Sequence, residues 1–190
     1  MATNIFRKRL NVLLVLLTLG VGFASTYVAH AAGETPDKGE RSKHDRRHEQ
    51  VGTWFCSGVT TPANGQQRPY YGMFKNEWAL DGSWLLIHFE ELQSPTGTPL
   101  IEDQYWGFDA ATNKHSRTLM ANDGSHAAVR SQGWNKDQLP WSGTFTAGET
   151  TFEYQETTVR HSANRYRWYG SVTGQSMTVV SYDITCNRSK

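Results

Sequence analysis

Two cysteines, Cys56 and Cys186, constrain the fold of this chain more than any other feature, because they are the only two in its 190 residues. A widely spaced pair favours a disulfide if the chain enters an oxidising compartment. One cysteine lies in the first predicted strand and the other in the last, so a bond between them makes those strands neighbours. A sheet whose first and last strands are adjacent is a closed barrel. A redox or metal-binding role is the alternative, although the pair lacks CxxC spacing.

The N-terminal residues predict that the chain leaves the cytoplasm. Arg7, Lys8 and Arg9 precede an uninterrupted apolar run, and small residues close it at Ala29 and Ala31. These are the parts of a secretory signal peptide, which we place at residues 1–31 with cleavage after Ala31. The apolar run of roughly a dozen residues is shorter than the ~20 that span a bilayer as a helix. We therefore expect a periplasmic or secreted protein with no stable membrane insertion after cleavage, and an uncleaved anchor is the alternative.

Residues 32–50 predict a disordered polar linker. From Gly33 to Gln50 the chain carries five acidic and five basic residues and no large apolar one, so it can bury little surface to offset the entropy of ordering. Removal of the signal takes away three positive charges and changes the formal net charge from +1 to −2. A weakly acidic protein is not expected to bind nucleic acid, which requires a basic face.

The remaining residues, 51–190, predict one all-β domain. Turn sequences such as Asp81-Gly82 and Asn122-Asp123-Gly124 recur every 10–15 residues, and the runs between them are rich in Thr, Val, Tyr, Phe and Trp. Short turns between successive strands favour an antiparallel up-and-down barrel with little helix. We predict about ten strands, at residues 51–59, 69–80, 83–92, 100–109, 114–122, 125–134, 139–147, 149–160, 164–172 and 176–186.

Alternation along the predicted strands assigns side chains to the two faces of the sheet. One strand stays ambiguous, because Leu85, Ile87 and Phe89 form one apolar face while Trp84 and Leu86 share the other with His88 and Glu90. Elsewhere one face is predicted to point inward, and it comprises Trp54, Gly58, Phe74, Trp78, Leu80, Asn164, Tyr166, Trp168, Val180, Tyr182, Ile184 and Cys186.

Three short motifs carry a resemblance to known barrels. Gly52-Thr53-Trp54 resembles the Gly-x-Trp opening of lipocalin-like (calycin) barrels, and it is followed by the run Asn76–Leu85 and by Tyr105-Trp106-Gly107-Phe108-Asp109. This order is similar to a bacterial family of unknown function, the DUF1579 type, which is related in fold to nitrobindin-like ten-stranded barrels. The resemblance implies a lipocalin-like barrel with a cavity for a small apolar molecule, and a structural role for Trp54 at the closed end. Nitrobindin-like proteins hold haem through a late histidine, whereas no histidine follows His161 here, so we expect no cofactor.

Large aromatic side chains that point into such a barrel suit a flat or apolar ligand. The alternative is that they simply fill a core. The candidate ligand-binding residues are Phe74, Trp78, His88, Trp141, Tyr154, Tyr166 and Trp168.

Catalytic motifs are weak in this sequence. His88 and Glu90 lie two residues apart and could supply acid–base chemistry to a cavity enzyme, an isomerase or hydrolase, unless that strand face points to solvent. Asp123-Gly124-Ser125-His126 predicts a hairpin turn rather than a catalytic triad, and no nucleophile elbow, phosphate loop or metal motif occurs. We assign no catalytic residue and no metal site. The leading hypothesis is an exported protein that binds a small hydrophobic or aromatic molecule, and a cavity enzyme or a packed barrel serving as an interaction module are the alternatives.

Overall fold

The computed structural model of the chain describes residues 44–94, 97–174 and 177–190. The predicted signal, residues 1–31, and positions 32–43 of the predicted linker lie outside these ranges. Each strand boundary lies within three residues of its prediction. No helix of the described ranges is long and apolar enough to cross a bilayer. The strands are β1 (Gly52–Pro62), β2 (Arg68–Ala79), β3 (Trp84–Glu91), β4 (Ile101–Asp109), β5 (Lys114–Ala121), β6 (His126–Ser131), β7 (Gln138–Ala147), β8 (Thr150–Ser162), β9 (Arg165–Gly174) and β10 (Met177–Arg188).

The ten strands form a closed antiparallel barrel in which every strand pairs with its neighbours in sequence and β1 pairs with β10. In that seam Cys56 stands directly opposite Cys186, and a disulfide joins them. The two strands approach each other closely at Gly58, where an added Cβ would lie 2.1 Å from the carbonyl oxygen of Asp183. Only glycine fits there without moving the backbone. The predicted up-and-down barrel, closed between its first and last strands, is confirmed.

Packing decides which face of β3 points inward. Leu85, Ile87 and Phe89 are buried in the barrel interior, so the other face of this strand is the outer one. Two predicted inward residues are misplaced. Asn164 is exposed, because it lies in the turn between β8 and β9. Leu80 is 69% exposed, because it lies in a short 3-10 turn, Leu80–Gly82, where its φ of 49° turns the chain out of β2. The prediction extended the alternation of β2 one residue too far.

One end of the barrel is closed by the segment that precedes β1. A short 3-10 helix, Arg47–Gln50, lies across this end, and the Gln50 carbonyl accepts hydrogen bonds from Trp54 Nε1 at 2.7 Å and from Asn76 Nδ2 at 2.9 Å. The guanidinium of Arg188 lies 4.3 Å from the centre of the Trp54 ring. Trp54 is thus buried between the helix, the barrel wall and a cation.

The described part of the predicted linker, residues 44–50, is ordered against the barrel rather than solvated. Asp45 and Arg47 are both buried and form a salt bridge of 2.9 Å. The Arg47 guanidinium also donates to the carbonyls of Ser83 at 2.8 Å and Trp106 at 3.0 Å. Composition alone predicts disorder here, but paired charges can be buried when their hydrogen bonds are satisfied. The folded domain therefore includes these seven residues.

Candidate functional site

A cavity of about 220 Å³ lies inside the barrel, away from the closed end. It adjoins a depression of about 470 Å³ at the opposite end, which we call the rim and which is formed by the turns from β1 to β2, β3 to β4 and β5 to β6. Thr60, Tyr70, Leu100 and Val180 line both spaces. The interior cavity thus continues toward the surface at the rim.

Most of the cavity wall is apolar. Phe74 and Trp168 contact each other edge to face, with ring centres 4.6 Å apart, and Phe74 also packs on Phe89 at 4.7 Å. Such contacts hold the rings in fixed orientations. The apolar and aromatic residues of the wall are Tyr70, Phe74, Leu100, Leu119, Phe145, Trp168, Val172, Val180 and Ile184.

A buried polar cluster forms another part of the wall. Glu156 on β8 accepts a hydrogen bond from Arg117 Nη2 at 2.8 Å, and the hydroxyls of Tyr154 and Tyr182 each donate to its second oxygen at 2.7 Å. The Arg117 guanidinium also lies 4.6 Å from the centre of the Trp141 ring. The Glu156 carboxylate is satisfied internally, because it has one cation and two hydroxyl donors around it. Arg117 Nε, in contrast, is buried without a hydrogen-bond partner among the described residues.

The ionisation states in the cluster follow from burial and from charge. Burial, with the nearby Glu156 carboxylate, raises the pKa of Tyr154 and of Tyr182 well above the ordinary value of 10, so both hydroxyls remain donors. Burial alone lowers the pKa of Arg117, but the Glu156 carboxylate more than compensates and the pKa of this guanidinium is raised. Arg117 and Glu156 therefore form a stable ion pair with nearly cancelling charges.

A second carboxyl, Glu102 on β4, lies in the same cavity with a different environment. Burial raises its pKa from 4.5 to about 7, although a hydrogen bond from Gln104 and the charge of Arg117 both act in the opposite direction. Gln104 Nε2 donates to Glu102 Oε2 at 3.3 Å, while Gln104 Oε1 is buried without a hydrogen-bond partner among the described residues. Within those residues Glu102 also lacks an ion pair. The cavity thus contains a carboxyl that changes charge near neutral pH, beside an unused acceptor.

Three of the predicted ligand-binding residues, Phe74, Tyr154 and Trp168, line the cavity. Three others lie nearer the closed end. There Tyr166 packs edge to face on Trp54, Trp141 donates to Thr158 Oγ1 at 3.2 Å, and Trp78 has the Arg47 guanidinium 5.2 Å from its ring centre.

The prediction that His88 contacts a ligand inside the barrel is wrong. His88 and Glu90 point outward from β3, since Leu85, Ile87 and Phe89 take the inner positions of that strand. The His88 side chain is 43% exposed, and its Nδ1 lies 2.7 Å from Asp103 Oδ1 on the outer face of β4. Neither residue can supply acid–base chemistry to the cavity.

The charged and amide residues of the cavity, Glu102, Gln104, Arg117 and Glu156, were absent from the sequence-based candidates. The two-residue alternation of the strands could have identified them. Glu156 is two residues after Tyr154, which was predicted to line the cavity, and so lies on the same face of β8. By the same rule Glu102 and Gln104 share the inner face of β4 with the buried Trp106.

Comparisons with known proteins found similar solved structures but no similar sequences. No protein-family model and no curated protein matches the chain. A redesigned beta barrel has 10% sequence identity and a TM-score of 0.45, with 78% of this chain and 99% of that one covered. A protein of unknown function from the DUF3598 family of Nostoc punctiforme has 8% identity and a TM-score of 0.48, with 76% of this chain covered and only 49% of the other. An S-type phycobiliprotein lyase from Guillardia theta has 7% identity and a TM-score of 0.50, with 76% and 90% covered.

At these identities the likeness concerns the barrel fold alone. The likeness to the lyase, at a TM-score of 0.50, agrees with the barrel fold, whereas membership of the DUF1579 type is not shown.

Proposed function

We propose that this protein binds a small apolar or aromatic molecule inside its barrel. The observation that carries the proposal is the cavity of about 220 Å³, with its mostly apolar wall and a few converging polar groups. Ligand sites typically combine these features, at volumes of about 300–1,000 Å³ for drug-sized molecules. The smaller volume favours a compact ligand such as one ring with a short side chain.

The wall is already organised for binding. Glu156 fixes the hydroxyls of Tyr154 and Tyr182, and edge-to-face packing fixes Phe74 against Trp168. A ligand would therefore order few side chains on entry, which keeps the entropic cost of binding low. The rim, which shares four lining residues with the cavity, supplies the route of entry.

The protein is proposed to act outside the cytoplasm, in the periplasm or after secretion. The Cys56–Cys186 disulfide supports this location, because structural disulfides persist in oxidising compartments. The signal peptide predicted at residues 1–31 agrees with it.

A second candidate function is a cavity enzyme in which Glu102 acts as general acid and base. The observation in its favour is the pKa of about 7 in an enclosed, mostly apolar space, where proton transfer in both directions is accessible. Mass spectrometry of each bound compound after incubation separates the candidates, since an enzyme returns a product and a binding protein returns the compound unchanged.

Ligand-observed NMR with a panel of one-ring apolar and aromatic compounds tests the binding proposal. Replacing Leu119 by phenylalanine adds volume at the cavity wall and is expected to weaken binding at least tenfold. Met120→Phe is the matched control, because the neighbouring Met120 is 47% exposed on the outer face and its replacement leaves the cavity intact. Binding that responds equally to both substitutions, or no binding by any compound, would contradict the proposal.

A further inference from the structure

We infer that the ligand is a small amine and that Glu102 holds its ammonium group inside the barrel. This inference rests on the proposed function and specifies the chemical class of the ligand. Three features of the cavity carry it: its charge, its unused acceptors and its aromatic wall.

The charge of the cavity and rim is negative. Two guanidinium groups, Arg117 inside and Arg68 at the rim, face a larger number of carboxyl groups. An excess of one sign in an enclosed, low-dielectric space attracts ligands of the opposite sign and disfavours those of the same sign. The four carboxyl groups belong to Glu102 and Glu156 in the cavity and to Glu91 and Asp123 at the rim.

Arg117 does not form an ion pair with Glu102. Its guanidinium donates to Glu156 at 2.8 Å and packs over the Trp141 ring at 4.6 Å. No cation among the described residues forms an ion pair with Glu102. The ammonium group of a ligand would supply this partner. A hydrogen bond between two ionised groups is roughly twice as strong as one between neutral groups.

Gln104 supplies a second acceptor next to this carboxyl. Its Oε1 has no partner among the described residues and its side chain is almost fully buried, while its Nε2 is directed to Glu102. An ammonium group has three N–H donors and no acceptor, so it can satisfy both Glu102 and Gln104 Oε1. An anionic ligand would meet two acceptors at this point, and Arg117, the one cation among the described residues that line the cavity, is already paired with Glu156.

Aromatic faces complete the site. Tyr70, Phe74 and Trp168 line the same cavity as Glu102. Such rings attract a cation placed over their faces and pack well against a ring in the body of the ligand. A compact aromatic amine, with its ring on this wall and its nitrogen at Glu102, fits both the apolar and the polar part of the cavity wall.

Binding of an amine is expected to depend on pH, because Glu102 must be ionised. The groups around this carboxyl act in both directions: Gln104 and Arg117 favour the carboxylate, whereas Glu156 and Asp123 oppose it. The other titratable groups facing the cavity from neighbouring strands and the rim are Arg68, Tyr70, Glu91, Tyr154 and Tyr182.

Three probes of similar size and different charge test the inference by isothermal titration at pH 8: phenethylamine, 2-phenylethanol and phenylacetate. We expect phenethylamine to bind at least tenfold more tightly than the alcohol, and phenylacetate to bind most weakly. Glu102→Gln keeps the shape of the side chain and should bring amine and alcohol within about threefold of each other. Glu90→Gln, on the outer face of β3, is the control that should leave the tenfold preference unchanged.

The outcomes separate the two proposals. If the alcohol or phenylacetate binds as tightly as the amine, the inference is overturned while binding in the barrel stands. If none of the probes and none of the one-ring panel binds, the proposed function fails as well. Should Glu102→Gln not fold, the wild-type protein provides the test: phenethylamine should bind at least tenfold more weakly at pH 5.5 than at pH 8, and equal affinities would overturn the inference.

Discussion

Replacing Glu102 by glutamine is expected to change how the stability of the protein depends on pH. Burial raises the pKa of Glu102 from 4.5 to about 7 in the folded state, so the folded protein holds this proton more tightly than the unfolded chain does. Its contribution to the free energy of unfolding is therefore fully present below pH 4.5 and is lost as the pH rises through 7. Glutamine keeps the shape of the side chain but cannot ionise, so the variant does not lose this stability as the pH rises.

The size of the effect follows from the two pKa values. At about 1.4 kcal/mol for each unit of pKa, their difference corresponds to about 3 kcal/mol in the free energy of unfolding. About 2 kcal/mol of this is expected between pH 5 and pH 8, because the unfolded carboxyl is already largely ionised at pH 5 and because the cavity gives partial access to water.

Urea unfolding of both proteins at pH 5, 6, 7 and 8 measures this contribution. The quantity to plot is the stability of the variant minus that of the wild type, since other groups titrate equally in both. We expect this difference to rise by about 2 kcal/mol from pH 5 to pH 8, and Glu90→Gln should show no such rise. A difference that stays constant within about 0.5 kcal/mol would refute the placement of Glu102 in a half-buried site without a paired cation.

Three further substitutions test other parts of the structure. His115 on β5 is buried, and its Nδ1 accepts a hydrogen bond from Trp106 Nε1 at 3.0 Å. Burial lowers the pKa of His115 to about 4, so the folded protein binds this proton less readily than the unfolded chain and stability rises with pH between 4 and 6.5. His115→Gln should remove about 2–3 kcal/mol of that rise in urea unfolding. Arg117→Met leaves the Glu156 carboxylate buried without its cation and should lower the free energy of unfolding by about 3–5 kcal/mol. Adding Glu156→Leu should restore most of this loss, and equal stability of the single and double variants would contradict a buried ion pair. Cys56→Ser removes a link between residues 130 apart in sequence and should cost about 2–5 kcal/mol. Treatment of the intact wild-type protein with a thiol reductant should raise its mass by two hydrogen atoms, whereas an unchanged mass would mean that the seam is not cross-linked.

The fold could be predicted from the sequence because its information is local. Each strand pairs with the next one along the chain, so turn sequences and two-residue alternation suffice to define the meander. Closure is the one long-range feature, and the Cys56–Cys186 pair marked it. Where a strand has apolar residues on both faces, as β3 does with Leu85 and Leu86, alternation does not indicate which face points inward. Only the packing of the whole barrel determines that face.

The candidate site was less accessible to sequence reasoning because its polar residues occupy inward positions. An approach that looks for apolar faces ignores Glu102 and Glu156, although both continue the alternation of buried neighbours. The sequence analysis also failed to predict that residues 44–50 pack against the barrel, and the reason is different. Arg47 is held by carbonyl groups of residues 36 and 59 positions away, and no local pattern identifies such partners.

The seam between β1 and β10 sets the time at which the protein can finish folding. Ribosomes add about 5–20 residues per second, so the 130 positions that separate Cys56 from Cys186 take about 7–26 s to synthesise. During that interval β1 lacks one of its two neighbours, and the barrel cannot close. A pairing between strands so far apart in sequence forms late, because the entropy of closing the long loop is lost before the contacts of the seam form. A chain proposed to cross a membrane through a translocation channel benefits from this delay, because its first strand remains without its final partner until the last strand has emerged.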